Sequence, residues 1–453
     1  MNCSNPISRR AFLRRSGLCA TAAGLGRLGL LNLHAQGSAP EYKALVCIFL
    51  LGGNDGHNMV VPLSGPEREA FREVRGGLAV PDANTQLMEI TPGSGVPYGL
   101  NSGLAAIHPL WAQRKLAVMA NLGLLVRPTT RAQYLGATVG LPSNLFSHSD
   151  QTLQMQAGNP EGSGGTGWAG RIADATRSLN AASTFPPAVS VAGTALFCTG
   201  NIVQSTSLLP GFDLSTDGLM AWSAKAAAAK AQALQEILSF NSGLAMVQAA
   251  NDVRLDGLEL NGMLQGLGGG GNLATRFPGS SIGEQLKQVA QVIQLRAATG
   301  MRRQVFFCAM GGYDTHSLQS WAQWDLLRQL GDAMAAFHAA TMEMGVADRV
   351  TTFTASEFGR TLQPSGTGTD HGWGNHQLIM GGAIRGGELY GTFPNLALGG
   401  PDDSGSRGVL IPTTSLDQFG GTLARWFGVR PAEMHSVFPN LANFPAGDLE
   451  FLG

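Results

Sequence analysis

Charge is scarce in this 453-residue chain: Asp, Glu, Lys and Arg make up 13% of it, and the formal net charge is −1. Nothing in that balance resembles the basic footprint of a protein that binds nucleic acid or an anionic membrane. Disorder is excluded from the other side, because 44% of the residues are hydrophobic, enough for a large core. Cysteine is equally sparse, with five in all. Cys3 and Cys19 lie in the first 35 residues, and Cys47, Cys198 and Cys308 are widely spaced. That spacing argues against a disulfide scaffold or a structural zinc site, although one disulfide stays open. Cys47 and Cys308 fall inside apolar runs, where a free thiol behaves as a small buried hydrophobe. Long apolar runs are missing too. The longest apolar stretch near the start, 18–33, is interrupted by Arg27 and glycines, which leaves no stable membrane span.

What is present begins with an address. Ser8-Arg9-Arg10-Ala11-Phe12-Leu13, a weakly apolar stretch and Ala35 read in order as a twin-arginine signal over residues 1–35. The partner during export is the twin-arginine translocase, and the expected location is periplasmic or secreted. The signal contains five of the 30 basic residues and no acid, so the mature chain has 25 basic against 31 acidic residues, a charge of −6.

Residues 36–453 are expected to form a single α/β domain. Strands are predicted at 44–51, 115–121, 188–191, 304–310, 350–354 and 377–381, mostly as continuous apolar runs. Runs without period-two alternation belong to strands buried on both faces, hence a mostly parallel central sheet flanked by helices. Ser281-Ile282-Gly283-Glu284 reads as a capping box ahead of a helix whose Ile282, Leu286, Val289 and Ile293 share one face. Leu330, Met334, Phe337 and Thr341 mark a second helix, and residues 416–427 a third. A helical insertion is expected at about 215–280. It combines an alanine-rich stretch at 224–253 with a glycine run at 266–272 that reads as linker.

Acid and histidine clusters follow three of the strands. Gly52-Gly53-Asn54-Asp55-Gly56-His57 comes after the first, and Gly311-Gly312-Tyr313-Asp314-Thr315-His316 after another. Ser356-Glu357-Phe358-Gly359-Arg360 and Thr369-Asp370-His371-Gly372-Trp373-Gly374-Asn375-His376 follow a third. In open α/β sheets, ligand-binding groups gather beyond the carboxyl ends of strands. Hard oxygen and imidazole donors without thiolate suit one or two divalent ions: zinc, manganese, magnesium or calcium. The candidate ligands are Asp55, Asp314, His316, Glu357, Asp370, His371 and His376. Each has a plainer reading. Asp55 could serve a glycine turn, and Glu357 and Arg360 could form an internal ion pair. Arg360 could instead hold an anionic substrate. Ser147 and Ser149, in Ser147-His148-Ser149-Asp150, could supply a nucleophile or simply cap a helix. His148 could orient Ser147 or bind metal itself.

These motifs, with Leu51-Gly52-Gly53-Asn54-Asp55-Gly56 and Gly386-Gly387-Glu388-Leu389-Tyr390-Gly391, resemble those of the exported bacterial family called domain of unknown function 1501. That family is similar in fold to the alkaline phosphatase–sulfatase superfamily. The resemblance implies an alkaline-phosphatase-like fold with metals at the carboxyl edge of the sheet. It also implies a hydrolase or transferase for a small phosphate or sulfate ester. Asp55 would match the first-strand metal aspartate, Asp370-His371 the aspartate–histidine–glycine motif, Asp314 and His316 a second metal pair, and His376 a late histidine. Two readings stay open: a metal-dependent enzyme, or a non-catalytic periplasmic envelope or binding protein that keeps the fold and one ion.

Overall fold

The first strand, β1 (Lys43–Leu50), is buried along almost its whole length, and its two faces feed two different cores. Val46, Ile48 and Leu50 pack into one cluster, while Leu45, Cys47 and Phe49 pack into another. Alternation of side chains across a strand makes this inevitable once both faces are covered. The computed structural model describes residues 41–453 apart from 82–85, 163, 182, 184, 212–222, 267–272 and 446–448. The predicted signal and the glycine run beyond Gly266 lie outside the described residues, as does part of the expected insertion. Residues Tyr42–Gly453 form one compact unit.

The main sheet contains β1 with β2 (Leu116–Gly123), β3 (Ala188–Ser190), β4 (Thr206–Ser207), β5 (Arg303–Met310) and β6 (Val350–Ala355). A separate hairpin, β7 (Arg360–Ser365) with β8 (Gly368–His371), comes next in the chain. The main sheet then gains β9 (Asn375–Gly381), β10 (Leu389–Tyr390) and β11 (Thr414–Ser415). Its order is β10-β2-β9-β6-β1-β5-β3-β4, with β11 also on β2. All pairings are parallel except those of β9, which runs antiparallel to both β2 and β6. The mostly parallel sheet is therefore as the sequence implies. The odd direction of β9 is not legible in an apolar run, because burial on both faces is indifferent to strand direction.

Helices cover both faces. On one side lie α6 (Ser281–Gln294) and α7 (Gln319–Glu343), whose Ile282, Leu286, Val289, Leu330, Met334 and Phe337 join the first cluster. On the other lie α3 (Trp168–Thr176) and α8 (Leu416–Phe427), which bring Trp168, Ile172, Phe419, Leu423 and Phe427 to the second. Helix α1 (Gly65–Arg75) and helix α2 (His148–Ala157) complete the frame around the candidate site. The insertion appears as α4 (Ala224–Ser239) and α5 (Ala245–Gly266). One local expectation is corrected. The cap of α6 is Ser280, whose hydroxyl accepts from the Gly283 N–H, so the box predicted from Ser281 does not form: N3 is a glycine with no side chain to return the bond.

Strands β6, β1 and β5 are adjacent and in register at their carboxyl ends, with Leu50 opposite Met310 and Phe49 opposite Ala355. The three loops that follow therefore emerge side by side. Close approach of the first two requires glycine at position 52, where φ is +115° and a Cβ would lie 2.3 Å from the Asp314 nitrogen.

Candidate metal centre

Three imidazoles converge at this edge. The Nε2 atom of His371 lies 3.0 Å from that of His148 and 3.1 Å from that of His316. One carboxylate oxygen, Asp314 Oδ1, lies 3.0 Å from His316 Nε2, 3.4 Å from His148 Nε2 and 3.5 Å from His371 Nε2. His148, Asp314 and His371 present ligand atoms all within 4.8 Å of one another.

The opposite ring nitrogens explain what faces inward. His371 Nδ1 is 2.8 Å from the Phe146 carbonyl, which only accepts, so Nδ1 carries the hydrogen. His148 Nδ1 is 2.9 Å from Glu357 Oε1, which fixes the same tautomer. His316 Nδ1 makes a longer contact, 3.4 Å, to Asp370 Oδ1. In the neutral rings of His148 and His371, Nε2 is then a bare lone pair. Two such lone pairs 3.0 Å apart cannot hydrogen-bond to each other. A shared proton or a metal ion between them would remove the conflict. Burial lowers the pKa of His371, and the neighbouring His148 and Arg360 add to that, so an extra proton is disfavoured there.

A divalent ion fits the donor set. Ligands about 2.0–2.1 Å from a tetrahedral zinc would stand about 3.3 Å apart, close to the separations within His148, Asp314 and His371, while His316 stands near Asp314 and His371 but outside that mutually close set. Orienting each ligating imidazole through its other nitrogen is the usual arrangement around a protein-bound metal. Asp314 is 48% exposed and His316 47%, so the cluster opens to solvent. Burial alone would raise the Asp314 pKa. The Arg360 hydrogen bond and charge, with the histidines, outweigh it and hold the carboxyl low and ionised.

The other predicted residues take different places. Asp55 is not brought into the cluster. It is fully buried in a two-toothed pair with Arg75, at 2.5 and 2.7 Å, and Gln319 adds a further hydrogen bond. Its carboxylate already faces a guanidinium, so it serves the fold. His376 is also elsewhere: its Nδ1 accepts from the Asn121 N–H, its ring stacks on Phe393, and burial pushes its pKa down to about 3. Glu357 accepts from the Gly52 N–H at 2.7 Å as well as from His148, which makes it a brace behind a ligand. Asp370 lies on β8 rather than in a loop, between His316 and Arg407. Arg360 is fully buried and donates to the carbonyls of Gly52, Gly53, Tyr313 and Thr369 and to Asp314. With those bonds made and its side chain fully buried, it is a clamp joining three loops and is not offered to an anionic substrate in solvent. Glu357 and Arg360 do not pair with each other in the recorded contacts.

Ser147 caps α2, accepting from the Asp150 N–H and donating to Asp150 Oδ2, and Ser149 shares that carboxylate. The next residue, His148, is what the helix start delivers to the cluster. Sequence reasoning left open whether it orients Ser147 or binds metal itself, because a single histidine far from the strand-end motifs carries little signal. Gly279-Ser280-Ser281-Ile282-Gly283 has the spacing of a nucleophile elbow. No strand leads into it among the described residues, Ser280 caps α6, and Ser281 Oγ accepts from Gln285, so it lacks the strand–turn–helix context.

Comparison with known proteins adds little about chemistry. A family model described as "Protein of unknown function (DUF1501)" matches residues 42–406. No curated protein matches the chain. The crystal structure of Ps i-CgsB in complex with k-i-k-neocarrahexaose is similar at a TM-score of 0.37 and 8% identity, covering 89% of this chain and 77% of that one. The PsFucS1 sulfatase from Pseudoalteromonas sp. is similar at 0.34 and 11%, covering 90% and 70%. Likeness at that level carries no argument about activity.

Proposed function

We propose, from the premise that this chain belongs to the DUF1501 family, that it is an exported metal-dependent hydrolase acting on a small phosphate or sulfate ester. The observation that carries the reading is the convergence of three Nε2 atoms on Asp314 Oδ1, with two of the rings held from behind by acceptors close enough to fix their tautomer. His148, His316, His371 and Asp314 would hold the ion. Three imidazoles favour zinc or manganese over the oxygen-seeking magnesium and calcium. A divalent ion there would polarise an ester oxygen and lower the pKa of water. Glu357, Asp370 and the Phe146 carbonyl keep the ligands aimed. Arg407, half-exposed and 2.8 Å from Asp370, replaces Arg360 as the cation offered to the anionic ester. Ser147 and Ser149 are bound to Asp150, so water is the attacking group in this reading.

The same two facts favour a second reading. A spent Arg360 and capped serines are what a non-catalytic envelope protein with one ion would also have. Metal analysis of natively exported protein, followed by turnover of an aryl phosphate and an aryl sulfate with zinc and with manganese, separates the two. The enzyme reading expects His371→Ala and Asp314→Ala to lose metal and turnover together, and Ser147→Ala and Ser149→Ala to keep both. A metal-loaded wild type that turns over neither ester leaves the second reading standing.

A further inference from the structure

Helix α7 begins with two tryptophans that the metal centre does not use. Trp321 is 71% exposed, the ring of a large apolar side chain left in water. It lies against Trp324 with ring centroids 5.2 Å apart and planes 25° apart. Trp324 is itself pinned, because its Nε1–H donates to Ser102 Oγ at 3.0 Å. The result is a flat aromatic platform with a fixed orientation. Beside it is a cavity of about 510 Å³, within the range of small-molecule sites.

The wall of this cavity is polar but uncharged. Asn58, Gln86 and Ser320 line it with the two tryptophans and the apolar Leu78, Val80 and Pro81, and none of the described lining residues is ionisable. Gln86 and Ser320 are exposed. Asn58 is 3% exposed and its Oδ1 has no hydrogen-bond partner among the described residues, although its Nδ2 donates to the Leu78 carbonyl. A second cavity of about 420 Å³ shares Leu78, Ser320 and Trp321 with the first, so the platform stands between the two. The one ionisable residue lining that second cavity is Arg75, whose charge is already taken by Asp55. Leu318 and Thr367 also line it. Leu318 comes two residues after His316, and its N–H donates to Thr367 Oγ1.

We infer that the Trp321–Trp324 platform and its flanking cavities bind a neutral oligosaccharide, one pyranose ring stacking on Trp321 with its hydroxyls facing the Gln86 and Ser320 side chains. An aromatic face accepts the apolar C–H face of a sugar, and amides and hydroxyls suit the rim of hydroxyls around it. Among the described residues an anionic or cationic ligand would find no opposite charge here to repay its desolvation. The inference stands on the tryptophan pair and does not depend on the metal reading.

The test uses the full mature chain in excess EDTA, so that metal chemistry plays no part. Tryptophan fluorescence is titrated with maltohexaose, cellohexaose, laminarihexaose and mannohexaose, each to about 10 mM. At least one is expected to bind with a Kd on the order of 0.1–1 mM. Trp321→Ala should weaken that binding roughly tenfold, while Trp321→Phe, which keeps a ring, should retain most of it. Trp321 is exposed, so both variants are expected to fold. Absence of binding by all four sugars overturns the proposal, as does binding that Trp321→Ala leaves unchanged. Sedimentation of the wild type and Trp321→Ala gives the other decisive outcome: a dimer lost in the variant makes this face an interface between copies instead.

Discussion

Glu357 does two jobs with one carboxylate oxygen. It accepts from the Gly52 N–H and from His148 Nδ1, so it ties the β1 loop to a ligand delivered by α2. Its side chain is 1% exposed, which keeps that pair out of competition with water. Glu357→Gln removes the charge and keeps the shape. It is expected to lower metal affinity roughly 10–100-fold, the usual effect of losing a group that orients a ligating imidazole, as read by titration against a competing chelator. Asp55 and Arg75 show the opposite use of charge. Both side chains are fully buried, and each is the other's compensation. Arg75→Ala would strand an ionised carboxylate in the interior, at a cost of about 3–5 kcal/mol by chemical denaturation, with metal content unchanged if Asp55 is outside the centre. Loss of metal in that variant, with the fold retained, would return Asp55 to the ligand set.

At the scale of elements, helix and strand ends position the chemistry. Helix α2 starts at a serine cap and thereby sets His148 beside His371, while the β7–β8 hairpin folds Asp370 and His371 back over the β5 loop. Gly368 makes that fold possible, since a Cβ there would lie 2.2 Å from the His316 carbonyl carbon. The start of α8 has a different consequence. Asp417 lies in its first turn, 1% exposed, and burial pushes its pKa up to about 7 against the backbone hydrogen bonds and Arg171 that act the other way. An unfolded aspartate ionises near pH 4, so the folded state holds this proton more tightly. The group therefore favours folding fully below about pH 4 and loses that advantage as pH rises through about 7. Asp417→Asn cannot ionise. Its melting temperature is expected to decline less than that of the wild type between pH 4 and 7, and parallel curves would show that Asp417 is already charged in the fold.

At the scale of the whole molecule, the described residues are built around one large sheet with both faces covered, and no helix among them is long and apolar enough to cross a membrane. The proposed route out of the cytoplasm rests on Arg9 and Arg10, outside the described residues. The twin-arginine pathway reads paired guanidinium groups, so the double substitution Arg9→Lys with Arg10→Lys should leave the protein in the cytoplasm. Fractionation that finds the variant exported as efficiently as the wild type would reject the route. A folded chain leaving by that pathway could bind its metal beforehand, which links the export proposal to the metal one.

The sequence by itself determined the strands, and with them the edge where the chemistry gathers. Apolar runs at 44–51, 304–310 and 350–354 are strands because only burial on both faces tolerates such runs, and the glycine-rich acid and histidine motifs after them meet because those three strands are neighbours. Asp314, His316 and His371 were legible for that reason. Tertiary structure decided which carboxylate faces which charge. Asp55 and Asp314 both follow a strand through a pair of glycines, and nothing local distinguishes them. Arg75, some 20 residues downstream, claims the first, while three imidazoles from separate segments surround the second. The role of His148 stayed open for the same reason. Its place depends on where a distant helix starts in space, and pairing between groups more than 200 residues apart leaves no mark on the residues nearby.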